Sequence, residues 1–230
     1  MNTTFKPSTY RWAVLSAYVL LSIVIQIQWV AFAPVARAAE RFYGAQIAPG
    51  SLFGVDFLAM LYLIVFLAVC VPASYVIDTY GIRVGIGIGA ILAGTAGLAK
   101  GFFAGNFAIV LCAQLVLSIA QPFILNAATA LAAQWFPLRQ RGLAVGLGTL
   151  AQYIGIVIAM VAGPILVNGN PASPLYGSGV GKLLIIYGIV TAVAAAISLV
   201  TIREPPPGAS GESSAGGKSG TSGDAVVRQG

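Results

Sequence analysis

Six long apolar runs divide this 230-residue chain, at about 12–36, 51–77, 82–104, 107–136, 142–167 and 181–202. A helix needs about 20 mostly apolar residues to cross the hydrocarbon core of a bilayer, and each run supplies them. Outer-membrane strands would alternate apolar and polar residues; these runs do not. Charged residues are only 8% of the chain and hydrophobic ones 58%, too little charge to cover a soluble surface of this size. The expected fold is an all-α membrane protein, a bundle of six transmembrane helices.

The small-residue pattern Ala36-Arg37-Ala38 follows the first run as a signal-cleavage site would. That run is roughly twice a signal core of 7–15 residues, so it is expected to be a retained helix. The layout that follows is a cytoplasmic segment at 1–11, the bundle at 12–203 and a tail at 204–230. The tail is rich in Pro, Gly and Ser and is expected to be disordered, because it has little apolar surface to bury.

The net charge of +6 is spread singly over the ends of the runs, which is not a nucleic-acid pattern. With a cytoplasmic N-terminus, Lys6, Arg11, Arg83, Arg139, Arg141, Arg203, Lys218 and Arg228 lie inside, and Arg37, Arg41, Lys100 and Lys182 outside. The positive-inside rule favours that orientation, with both termini cytoplasmic in the cell membrane. Cys70 and Cys112 lie within apolar runs, so no disulfide framework is implied. There is no histidine, hence neither the usual metal ligand nor the usual near-neutral proton carrier. With no paired carboxylates and no nucleophile–base pair, neither an enzyme nor a cofactor is expected.

Polar side chains within the runs are few. Tyr18, Ser22, Gln26 and Trp29 share one face of the first helix, with Gln28 off that stripe. Gln114, Ser118 and Gln121 form a second stripe on the fourth helix, with Asn126 a turn further on; the fifth adds Thr149 and Gln152. Polar groups in lipid are costly and face a bundle interior or cavity. The division of polar residues points to these three helices lining a shared polar chamber; the alternative is that the amides only bond one another. Asp56 and Asp78 fall near span ends, and no acidic residue lies at mid-membrane, which favours facilitated diffusion over proton symport. Small residues recur every four positions at Gly85, Gly89, Ala93, Gly97, Gly101 and Gly105, and again at Gly142/Gly146 and Gly155/Ala159/Gly163. They are expected to let neighbouring helices of the same chain pack closely.

The second and third helices meet at Asp78-Thr79-Tyr80-Gly81-Ile82-Arg83. This resembles the gating loop of the major facilitator superfamily, in which glycine permits a tight reversal and the acidic and basic residues pair with each other or with helix ends. Ser74 stands where that family often has Gly. WFPLRQRGLAVG (135–146) is similar to the family's junction between helices 4 and 5, and Gly163-Pro164 to its helix 5 ending. The ordered series QW (28–29), RFYG (41–44), VDFLAMLY (55–62), VPASYVIDTYGIR (71–83) and QLVLSIAQPFIL (114–125) resembles the feline leukaemia virus subgroup C receptor branch, over about 11–167. That branch is linked to choline, ethanolamine and heme; heme fits least here, with no histidine to ligate iron.

The resemblance implies half of a major-facilitator fold, itself a pair of three-helix inverted repeats. It implies solute contacts from Trp29 and Gln121, to which the stripes add Gln26, Gln114 and Gln152, and a gating role for Asp78, Gly81 and Arg83. A quaternary ammonium binds aromatic faces by cation–π attraction. The function expected is alternating-access transport of a small polar or cationic solute, choline-like by preference. A second copy would join through helices 2 and 5 and complete the central site. The alternatives are a non-transporting membrane module and one half of a heterodimeric transporter.

Overall fold

The computed structural model describes residues 9–48 and 51–203. The expected segment at 1–11 and the tail at 204–230 fall almost wholly outside them. The described elements are α1 (Tyr10–Val30), a 3-10 turn (Ala33–Val35), α2 (Ala36–Tyr43), α3 (Val55–Tyr80), α4 (Ile82–Phe102), α5 (Phe107–Leu125), α6 (Ala127–Trp135), α7 (Leu138–Leu166) and α8 (Val180–Thr201). They make six helices long and apolar enough to cross a membrane, since α1 with α2 and α5 with α6 each act as one span. The chain is a multi-pass membrane protein.

Two spans are broken where the hydropathy is continuous. After α1, Pro34 has no N–H for the carbonyl four residues back. The chain tightens into the 3-10 turn, with Val35 N donating to Phe32 O at 3.0 Å, and resumes as α2. The first span therefore runs to Tyr43 rather than 36, and the Tyr43 hydroxyl fastens its far end to Ala104 O at 2.7 Å. The fourth span breaks at Asn126, shortly after Pro122. Asn126 Nδ2 there donates to Cys70 O and Ser74 Oγ of α3, both at 3.0 Å. The fifth span starts earlier than its hydropathy. Pro137 fixes the entry to α7, and a turn carrying Arg139 and Arg141 precedes the apolar stretch.

Packing reveals the internal repeat. The α1–α7 contact is matched by α3–α5, α1–α8 by α4–α5, and α4–α8 by itself. Exchanging the first three spans with the last three leaves this pattern unchanged, and the two broken spans, first and fourth, exchange with each other. This is the pairing that three-helix inverted repeats produce.

The small-residue stripe of α4 works inside the chain. A Cβ on Gly101 would stand 2.7 Å from Ile185 Cα in α8, and one on Gly89 would meet Ile124 of α5. On α7, Gly155 faces the Ile23 carbonyl of α1 and Gly163 faces Pro34, whereas Gly142, Gly146 and Gly105 have open space beside them. The close-packing expectation holds for α4 and the second half of α7 and fails for those three. α3 and α7 are the least covered spans: 22% and 28% of their spanning windows are buried, against 44% to 56% elsewhere.

Candidate functional site

The amides of α1, α5 and α7 meet. Gln121 Nε2 donates to Gln26 Oε1 at 3.1 Å, and Gln26 Nε2 donates to Gln152 Oε1 at 3.4 Å. Helical spacing places Gln26 on the inner face of α1, and Gly155 on α7 lets the two backbones approach so that Gln152 reaches it. Gln26 and Gln121 are buried and Gln152 is half-buried, so the ladder runs from the core to an open edge. The expected chamber is here a bonded ladder: these three amides satisfy one another, as the alternative reading of the stripes has it.

Trp29 lies one turn beyond Gln26, half-buried, with its ring centroid 6.5 Å from that of Tyr62 on α3 and the planes inclined at 37°. Tyr62 is fully buried, and its hydroxyl has no partner among the described residues. Sequence reasoning passed over Tyr62, although it sits within a quoted motif; a phenol among apolar neighbours on a nearly amide-free helix gives little signal. Gln114 does not join the ladder. It is two turns from Gln121, about 10 Å along α5, and donates to Leu58 O of α3 at 3.3 Å, its Oε1 having no partner among the described residues. Ser118 and Thr149 turn back to carbonyls of their own helices, Gln114 O and Val145 O.

Gly81 joins α3 to α4 at φ 91° and ψ 165°, a conformation that favours glycine, and its N–H closes α3 on Ile77 O at 3.0 Å. The pairing of Asp78 with Arg83 does not form: among the described residues Asp78, exposed at the end of α3, makes no ion pair. The reversal at Gly81 starts α4 at once. Arg83 then lines a cleft with Ile86, Ser198 and Leu199.

Two further residues depart from expectation. Lys100, counted with the outside charges, is wholly buried, and Gln28, off the polar stripe, is its partner. The interior thus holds a titratable side chain where none was expected.

The family model for the Major Facilitator Superfamily matches residues 8–227. Solute carrier family 49 member A3 of Danio rerio is 32% identical over 89% of this chain and 42% of its own length. Choline/ethanolamine transporter FLVCR2 of Rattus norvegicus is 23% identical over 89% of this chain and 37% of its own. The chain thus spans less than half the length of these relatives. Among solved structures, a bacterial homologue of the human lysosomal transporter Spinster, inward-facing and unoccupied, matches with a TM-score of 0.65 at 19% identity. That match covers 87% of this chain and 45% of the other, and it speaks to the fold alone.

Proposed function

The chain belongs to the Major Facilitator Superfamily, and from that membership we propose that its six-helix bundle is one of two facing bundles of a membrane transporter for a small cationic or polar solute, choline-like by preference. The observation that carries the proposal is the junction of the amide ladder with Trp29 and Tyr62. Trp29 stands one turn along α1 from Gln26 of the three-helix amide ladder, and the buried Tyr62 of α3 lies beside its ring. A quaternary ammonium has no N–H to donate. It is held by ring faces, with attraction worth up to about 2 kcal/mol when desolvated, and a hydroxyl on the solute gives the amides something to bond. To take the solute, Gln26 and Gln152 exchange part of their mutual bonding for bonds to it, which costs little because the 3.4 Å contact is long. Substrate contacts are assigned to Trp29, Gln26, Gln121, Gln152 and Tyr62, with Gln114 further along the same interior and Asp78, Gly81 and Arg83 at the moving loop.

The second bundle is a further copy of this chain, related by a two-fold axis along the membrane normal and joined through α3 and α7. The sparse cover of those two spans supports this, as does an exposed Asp78 that would face the positive end of the partner's α7. Rocking of the two bundles gives alternating access, with both ends of the described chain in the cytoplasm. Tyr10 and Thr201 are hydrogen-bonded at 2.6 Å, which keeps the first and last helices at one end of the bundle.

The test is uptake of labelled choline into proteoliposomes. Saturable uptake, competed by tetramethylammonium and reduced by Trp29→Ala, supports the proposal. Absence of uptake of choline, ethanolamine and related solutes would leave a non-transporting module as the better reading.

A further inference from the structure

Lys100 lies in the last turn of α4, wholly buried inside a membrane span. Ionisable groups at such positions are expensive, and those that persist do work. Its Nζ donates to Gln28 O at 3.3 Å and to Gln28 Oε1 at 3.2 Å, and stands 4.9 Å from the centre of the Phe32 ring. The acidic residues described, Glu40, Asp56 and Asp78, are all exposed and none pairs with it.

The surroundings are arranged for a positive charge. The Thr191 hydroxyl donates to Tyr187 O at 2.7 Å, so its oxygen is left to accept, and Gln28 Nε2 donates to it at 3.0 Å. That bond turns Gln28 Oε1 towards Lys100. Gln28 is in the last turn of α1, just before the break, where carbonyls carry the negative end of the helix dipole. Carbonyl oxygens at the ends of broken helices are what secondary transporters use to coordinate a coupling cation.

We infer that the Lys100 ammonium is a tethered cation filling a site at the broken end of α1 that would otherwise suit a free alkali ion. The bundle therefore carries its own cation and draws on no Na+ gradient through this site. Two oxygens, a helix end and a ring face replace the carboxylate that a buried charge usually needs.

Two variants test this. Lys100→Ser leaves the oxygens in place and opens room for an ion with a water, whereas Lys100→Met keeps the length without the charge. Thermal unfolding in nanodiscs is compared in NaCl and in N-methylglucamine chloride at equal ionic strength. K100S is expected to lose stability in N-methylglucamine and to recover about 4 °C or more in Na+, while K100M and the unmodified chain do not discriminate between the salts. Adding Gln28→Glu to K100S supplies a carboxylate and should enlarge the Na+ effect. No Na+-specific shift in K100S, stabilisation of the unmodified chain by Na+, or failure of both Ser-containing variants to fold even in Na+ would overturn the inference. Choline uptake that is unchanged when Na+ is replaced is expected as well. This last arm alone rests on the transporter proposal: if choline is not carried, the solute assignment fails while the unfolding comparison still decides the role of Lys100.

Discussion

At the scale of single residues, the interior is divided between groups that satisfy one another and groups left over. Gln121, Gln26 and Gln152 form a ladder, while the Tyr62 hydroxyl and Gln114 Oε1, like the hydroxyls of Tyr18 and Ser22, are buried without hydrogen-bond partners among the described residues. A buried polar atom without a partner costs about 1–3 kcal/mol, so such atoms are kept where another requirement outweighs stability. Tyr62→Phe is therefore expected to leave thermal stability unchanged or raised and to weaken choline binding several-fold; a variant that loses stability with unaltered binding shows that the phenol serves packing. Trp29→Ala should weaken binding roughly tenfold or more and Trp29→Phe much less, since any aromatic face keeps part of the cation–π attraction. Equal losses, measured by titration with choline, would show that the ring only packs. That Gln26 and Gln121 face inward was legible because each shares a helix face with other polar residues; that they bond each other and Gln152 rather than line a chamber was not, because spacing along one helix does not set the distance to the next. Lys100 was not, because a lysine near the end of a span normally snorkels to the interface. A signal was nonetheless present: Lys100 stands three residues after Gly97 and one before Gly101, on the very face that the small residues mark as packed.

At the scale of helices, glycines divide into those that hold the bundle together and those that do not, and the four-residue spacing alone cannot separate them. A methyl added at Gly155 would strike the Ile23 carbonyl oxygen of α1, and backbone cannot yield as a side chain can; at Gly146 it would meet open space. Gly155→Ala is expected to destabilise the α1–α7 contact by about 1–3 kcal/mol and to disturb Gln26 and Gln152 together. Gly146→Ala should be neutral or stabilising by up to about 1 kcal/mol through helix propensity. Unfolding midpoints of the two variants in the same detergent check this, and equal midpoints contradict it. The six spans themselves were plain from hydropathy because length and apolarity are all that lipid demands. Their breaks were hidden for the same reason: hydropathy runs on through both, and only Pro34 in the first span and Pro122 with Asn126 in the fourth mark the places.

At the scale of the whole molecule, the inverted repeat puts α3 and α7 at equivalent places, and these are the two spans the bundle covers least. Lipid can solvate their apolar faces, so exposure of Leu67 or Val157 does not by itself demand a partner. The proposed partner rests on the polar groups instead: Gln152 and Trp29 are half-buried, and the proposed site needs a second wall to exclude water and to release its solute to alternate sides. In the proposed pairing a second copy would line the site twice with the same residues and give Asp78 a partner helix end. Cysteines placed at Leu67 and Val157, in a chain with Cys70 and Cys112 replaced by Ser, should crosslink across the seam to twice the 23.6 kDa of one chain, whereas cysteines at Val193 and Val200 on α8 should not. Leu67→Lys should separate the copies and abolish choline uptake without unfolding the bundle, because its exposed position needs no repacking within the chain. A species of single-chain mass that still transports would rule out the paired arrangement. Crosslinking with a different six-helix protein instead would keep the seam and change only its occupant.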